Sequence, residues 1–407
     1  MNILFLTLAD VKNIKIHGIF NDLIRKLRDE GHKVYITSPT ERKYGMPTQL
    51  YEVDGVKVLK VKILNMINTS YVEKGISTLL ISSFYKRAIR KYIGDKKFDL
   101  ILYSTPPITF TNVVRWLKRK NPKALCYLLL KDIFPQNAVD LGLFGKGSLP
   151  HRYFRFKERQ LYNTSDYIGC MSPANIDFIL RNNPNYPANR VEVAPNSCEI
   201  KEHQPLNSKE KKDIKDKYHL PIDRPIFIYG GNLGKPQGIS YLINCLEANK
   251  NRIDCHFLIV GSGTEYHRLE EWMSKNHDKN VTLLRYLPKA DYDRLVQACN
   301  VGLIFLDHRF TIPNYPSRLL TYLEYRMPVI CATDNSTDIG RIAEENGYGL
   351  WCESLREIDF TMLVDHFVNH PDIIPEMGEK GYQFLCKNYT VQHTYDAIMK
   401  HFKTVDE

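Results

Sequence analysis

Apolar residues along this 407-residue chain fall in short unbroken runs separated by stretches with helical spacing. Residues 3–6 form the first run, and Ile19, Leu23 and Leu27 then recur about one helical turn apart. Gly31 stands where a helix would end in a left-handed cap, and residues 34–36 resume as a strand. Further strands are predicted at 99–103, 125–130, 167–170 and 191–193. Ser172-Pro173 reads as a helix start, because the hydroxyl accepts an orphan amide and proline lacks only an amide that the first turn leaves unpaired. The second half repeats the scheme, with strands at 226–229, 256–260, 281–284, 301–305 and 329–331, each followed by a helical segment. Strands that do not alternate polar with apolar are buried on both faces, and intervening helices make their sheets parallel.

Residues 196–212 are polar and charged, include Pro205 and show no apolar period, which predicts a linker; residues 391–402 read as another amphipathic helix. A chain of this length exceeds what one core supports. The pattern predicts an α/β protein of two facing, doubly wound Rossmann-like domains, 1–198 and 199–385, with 386–407 a C-terminal helix crossing back to the first domain. The cleft between such domains is the default ligand site.

Charge sharpens this division. Residues 1–200 hold 31 Lys and Arg against 17 Asp and Glu, whereas 201–407 hold 25 against 29. The basic first half should meet something anionic, nucleic acid or an anionic membrane surface. Two stretches mix cations with apolar or aromatic residues: Leu79, Leu80 and Phe84 precede Lys86, Arg87, Arg90 and Lys91, and Tyr153, Phe154 and Phe156 interleave with Arg152, Arg155, Lys157 and Arg159. Either suits a membrane surface, or a core helix with a solvated basic face. The opening apolar stretch meets Asp10 too soon for a signal peptide, no run is long enough to span a bilayer, and nine scattered cysteines without a CxxC pair suit reduced thiols. The expected location is cytoplasmic, peripheral to the inner face of the membrane.

The candidate chemistry lies at strand ends. Tyr229-Gly230-Gly231-Asn232-Leu233-Gly234-Lys235-Pro236-Gln237-Gly238 follows a strand and precedes a helix. Glycines there let backbone amides approach a phosphate and Lys235 adds a full charge; tight packing alone is the alternative. Pro236 replaces the hydroxyl that a Walker loop uses for magnesium. Gly261 and Gly263 follow the next strand, but Tyr266 stands where a dinucleotide fingerprint needs its third glycine, and Arg285 where an NAD site prefers an acid. Tyr315-Pro316-Ser317-Arg318 reads as a helix start with a cation in its first turn, a mismatch that a bound phosphate would resolve. Asp132 and Ser104-Thr105-Pro106-Pro107 lie at carboxyl ends of first-half strands; Asp132 reads equally as a base for a sugar hydroxyl or as a helix cap. Asp291-Tyr292-Asp293 has metal-site spacing but opens a helix, and His366 and His370 lack the glutamate of a zinc motif. No metal or other cofactor is expected, nor a covalent nucleophile.

With these residues placed, nearly the whole chain resembles the retaining glycosyltransferases of family 4, which have the GT-B fold, and most of all their capsule and O-antigen branch. The resemblance rests on His17-Gly18-Ile19, Gly31-His32-Lys33-Val34, Ser104 to Pro107, Asp132-Ile133-Phe134-Pro135, Ala194-Pro195-Asn196, the Gly-rich loop, Val260-Gly261-Ser262-Gly263 and Pro316-Ser317-Arg318 through Met327-Pro328-Val329-Ile330. It implies a transferase that moves a hexose or N-acetyl-aminosugar from a nucleotide diphosphate sugar, UDP-linked, to a lipid-diphosphate-linked glycan. Gly231, Asn232, Lys235, Gln237, Gly261, Gly263, Ser317 and Arg318 would then hold the donor, with Arg285 and Leu287 beside the base. His17, Gly18, Thr105, Pro106, Lys131 and Asp132 would serve the acceptor side and catalysis. The family's pair of ribose-side carboxylates falls on Pro313 and Thr321, with Glu324 one turn on. A sugar-nucleotide epimerase of the same fold and a donor-binding pseudoenzyme are the rivals. A nucleic-acid binder has no recognisable module here.

Overall fold

The computed structural model describes residues 1–11, 13–66, 69–276 and 279–405. They form two compact α/β units, Met1–Glu199 with Val391–Glu407, and Ile200–Thr390.

In the first unit the strands are β1 (Asn2–Leu6), β2 (Lys33–Glu41), β3 (Gln49–Val53), β4 (Val56–Ile63), β5 (Leu100–Ser104), β6 (Leu125–Leu130), β7 (Tyr167–Cys170) and β8 (Val191–Val193), in the order β3-β4-β2-β1-β5-β6-β7-β8. All pairs are parallel except β3 with β4. The expected helix over 19–29 ends as predicted, with Gly31 at φ 79°. Its apolar stripe of Leu23, Ile24 and Leu27 is buried against Ile3, Phe5 and Ile36 of the sheet. The C-terminal helix Val391–Met399 joins this unit. Val391, Ile398 and Met399 enter the same core, and Tyr395 hydroxyl lies 3.1 Å from His32 Nε2.

In the second unit the strands are β9 (Ile226–Asn232), β10 (His256–Ser262), β11 (Val281–Leu284), β12 (Val301–Phe305), β13 (Val329–Thr333) and β14 (Gly349–Glu353), in the order β11-β10-β9-β12-β13-β14. Every pair is parallel. This is the doubly wound order: the chain leaves β9 toward β10 on one side and returns to β12 on the other, so the carboxyl end of β9 is the switch point where such sheets bind ligands. Phe227, Phe257, Phe305, Phe360 and Phe367 fill the core on one face.

The linker expected over 196–212 is shorter than its polarity suggests. Asn196, Ser197 and Cys198 are buried in the first unit. Asn207 starts the helix Ser208–Lys217 with a capping box to Glu210, and only Ile214 of that helix is buried. A helix this charged has too narrow an apolar stripe for its period to be read.

Candidate functional site

The β9 switch point is built by close backbone contacts. A Cβ on Gly261 would lie 1.9 Å from the Gly231 carbonyl oxygen, and one on Gly263 would lie 2.3 Å from that of Leu233. Leu233 N donates to Ser262 O at 2.9 Å and Glu265 N to Leu233 O at 2.9 Å, so the loops after β9 and β10 are bonded as one sheet corner. Both Gly261 and Gly263 are therefore explained by loop-to-loop packing. Beyond them, Gly234 leads into a tight turn over Lys235–Gln237, and the helix Ile239–Ala248 begins after Gly238.

Arg318, at the start of the helix Arg318–Glu324, reaches this corner. Its Nη2 donates to Gln237 Oε1 at 2.6 Å, its guanidinium carbon sits 4.2 Å from the centre of the Tyr229 ring, and Nη2 would be 3.4 Å from a Cβ on Gly231. No carboxylate pairs with it among the described residues, and its Nη1 is buried without a hydrogen-bond partner. Leaving a buried donor unpaired costs about 1–3 kcal/mol, and more when the group is charged. A stacked guanidinium held in place with one face unsatisfied has the geometry to receive an anion. Lys235 is exposed in the same turn and has no ion-pair partner among the described residues.

Sequence reasoning missed the groups that fix this geometry. The Tyr322 hydroxyl accepts from Gly230 N at 3.1 Å and donates to Ile228 O at 3.1 Å, tying the Arg318 helix to β9. Asn314 N donates to Thr337 Oγ1 at 3.0 Å, and Thr337 Oγ1 donates to Asp334 at 2.9 Å, anchoring the segment before Ser317. A signal for Tyr322 stood in the sequence: Gly302 on a buried strand leaves room for its ring, which a Cβ would meet at 2.5 Å.

The other predicted residues divide. Ser317 is exposed at the turn before Arg318, and Asn232 is exposed at the end of β9. Thr321 is half-buried on the same helix, and Glu324 is buried with His203 Nε2 3.1 Å away. Arg285 is exposed and occupied by Glu270 at 2.6 Å, with Leu287 half-buried beyond it. Asp291 pairs with Lys217 at 3.5 Å and Asp293 with Lys289, while the Tyr292 ring packs on Gly230. The Asp-Tyr-Asp spacing is thus that of a surface helix with lysine partners.

In the first unit the carboxyl ends of β5 and β6 are joined through Thr105. Its Oγ1 accepts from the amides of Lys131 and Asp132 at 3.0 and 3.1 Å and donates to Asp132 O at 3.0 Å. Pro106 is exposed beside it, and the Thr105-Pro106 bond is cis. Lys131 Nζ donates to Ala194 O and Pro195 O at 3.2 and 3.1 Å, and burial pulls its pKa down to about 7. Burial pushes the Asp132 carboxyl up to about 6, against the pull of the Ile133 amide and of Asn137 Nδ2 at 2.7 Å. The helix Gln136–Asp140 begins after Pro135, and the Asp132 carboxylate takes a side chain of that helix, which removes the capping reading. His17 Nδ1 lies 2.9 Å from Asp22 Oδ2, and Gly18 N donates to Asp22 Oδ1 at 2.9 Å. Burial would raise Asp22, but His17 and the amides of Glu199 and Gly18 hold it below its usual value. His17 and Gly18 are thereby fixed at the entry of the first helix.

Gly261→Ala tests the shared corner. The new methyl would meet a backbone carbonyl that cannot rotate away, so at least about 3 kcal/mol should be lost, about 6–12 °C in Tm for a unit of this size. Gly75→Ala, with open space around its Cβ in an exposed helix, should instead gain about 0.5–1 kcal/mol. Equal melting of the two variants in a calorimeter would disprove the packing role.

The family pattern described as "Glycosyl transferases group 1" matches residues 210–384, within the second unit. "Probable glycosyltransferase WbjE" of Pseudomonas aeruginosa is 22% identical over 268 residues, 65% of this chain and 63% of that protein. The chain therefore matches a little under two thirds of that relative's length. "Putative colanic acid biosynthesis glycosyl transferase WcaI" of Escherichia coli K12 is 25% identical over 293 residues, 67% of this chain and 68% of its own. The solved structure of Anabaena HepE in complex with UDP-glucose is superposable with a TM-score of 0.70 over 100% of both chains at 12% identity, which shows a common fold. The match over residues 210–384, the two relatives and the shared fold bear out the resemblance to glycosyl transferases read from the sequence.

Proposed function

We propose that the chain is a retaining hexosyltransferase of family 4 (EC 2.4). It moves a hexose or N-acetyl-aminosugar from a UDP-linked donor to a lipid-diphosphate-linked glycan during synthesis of a bacterial surface polysaccharide. The observation that carries this reading is the Arg318 guanidinium, stacked on Tyr229 beside Gly231 with a buried, unpartnered nitrogen. A donor diphosphate supplies the anion this geometry lacks, and the same charge stabilises the diphosphate as it leaves. HepE's complex with UDP-glucose and the colanic acid relative support the donor class and the pathway type. Asp132 is assigned to the acceptor hydroxyl. Among the described residues no helix is long and apolar enough to cross a membrane, and the basic first unit supports peripheral attachment at its inner face.

Arg318 and Lys235 neutralise the leaving group themselves, so activity should persist in EDTA. A panel of UDP-, GDP- and dTDP-sugars tests the reading: a true donor at a hundred times its Kd stabilises the fold by about 2.7 kcal/mol. A UDP-sugar should raise Tm, and transfer should then follow only with acceptor present. Isomerisation of the donor without acceptor would favour the epimerase, and an absolute requirement for Mg²⁺ or Mn²⁺ would overturn the charge assignment.

A further inference from the structure

Three helices, Tyr71–Tyr92, Thr111–Lys120 and Leu149–Thr164, pack in succession in the first unit. Between the first two lies a recess of about 300 Å³, lined by Lys86, Arg115 and Arg119 with Ser83, Asn112 and the ring of Trp116. None of those three cations has an ion pair or a hydrogen bond among the described residues. Lys86 Nζ stands 5.6 Å, Arg90 Cζ 6.0 Å and Lys120 Nζ 5.3 Å from the centre of the Trp116 ring. Of these, Lys120 is also paired with Asp95 at 2.7 Å, and on the third helix burial and Arg115 both lower the pKa of Lys157. On the Tyr71–Tyr92 helix, Ile76, Leu79 and Leu80 are 46, 50 and 42% exposed. Leu79, Ser83 and Lys86 follow one another at helical spacing, so the aliphatic strip runs along one face into the cationic recess.

We propose that this recess binds the phosphate of an anionic phospholipid, with Ile76, Leu79 and Leu80 against its first acyl carbons. The proposal deepens the membrane-side reading above and is independent of the donor chemistry. Free phosphate would account for the cations and leave three exposed aliphatic side chains unexplained. A nucleic acid would leave the same strip in water. A phospholipid satisfies both, because its charge and its apolar chain are one bond series apart. Arg115 and Arg119 are central here. Neither belongs to the two basic stretches that stand out in the sequence.

The test is sedimentation with vesicles of phosphatidylcholine alone or mixed with phosphatidylglycerol, at physiological salt. Each cation near such a surface contributes about 1 kcal/mol, so Arg115→Ala/Arg119→Ala should weaken binding to the anionic vesicles about thirtyfold. Leu79→Ser/Leu80→Ser should weaken it at least about tenfold through lost apolar burial. Lys33→Ala/Arg190→Ala makes the same charge change outside the three helices and should alter binding by less than about threefold. An equal loss in that control would reduce the site to net charge and overturn the proposal. So would failure of wild type to bind, or full release by millimolar inorganic phosphate. Donor-induced thermal stabilisation, read on the same preparations, reports the second unit; its loss would sink the UDP-sugar reading and leave the recess standing.

Discussion

Arg318→Ala should lower kcat by about a hundredfold to a thousandfold and weaken donor binding by about 1.5–3 kcal/mol. The two numbers have one origin. In the proposed donor complex the guanidinium would give the donor a charge-assisted hydrogen bond from Nη1, which has no hydrogen-bond partner among the described residues. As the sugar departed, negative charge would accumulate on the diphosphate, and a cation already held by Gln237 and Tyr229 would need no reorganisation to meet it. The fold should change little, because Tyr322 keeps its two bonds to β9 without Arg318. Arg318→Lys restores the charge but neither the fork nor the stacking, so it should fall between wild type and alanine. Lys235→Ala should cost less, since that ammonium is exposed and screened. Calorimetric titration with the UDP-sugar and steady-state rates measure both quantities. Donor affinity and kcat unchanged in a folded Arg318→Ala protein would remove the diphosphate assignment.

The parallel architecture was readable because buried strands such as Cys126 to Leu130 and Phe257 to Val260 are apolar on both faces and sit between helical repeats. The β3–β4 hairpin was not read, although Asp54-Gly55 at its tip, with φ 48° and 76°, is the turn chemistry that joins such strands. Strand β14 escaped because its exposed edge leaves Leu350 and Trp351 only half-buried, too weak a run to stand out. At the site, glycines after β9 and β10 were legible as places where backbones approach. What they approach was not. Arg318 meets Gln237 across 81 residues, and Glu324 meets His203 across 121. The histidine partner of Glu324 could not be foreseen from the sequence around it. Trp116 and Arg115 were equally silent, since the recess exists only once two helices distant in sequence lie side by side.

Asp132→Asn should lower kcat by about a hundredfold or more while leaving the protein at least as stable at pH 7. A carboxylate serves as a base only when ionised. With burial holding its pKa near 6, activity in wild type should climb between pH 5 and 7 and then level off. The asparagine variant should lose that limb along with its rate. Stability runs the other way. A carboxyl raised from its unfolded value of 3.8 keeps its proton more readily in the folded state, so it favours folding at low pH, and that benefit is lost as pH rises from about 4 through about 6. Above that window the folded protein carries a charge that burial disfavours. Asparagine never ionises, and its Oδ1 can still accept from Asn137 Nδ2 at the position the carboxylate oxygen occupies. A variant that is inactive yet melts no earlier than wild type at pH 7 would separate chemistry from scaffold. Undiminished activity with an unchanged pH profile would mean that the acceptor proton leaves by another route, and that Asp132 only closes the corner that Thr105 builds.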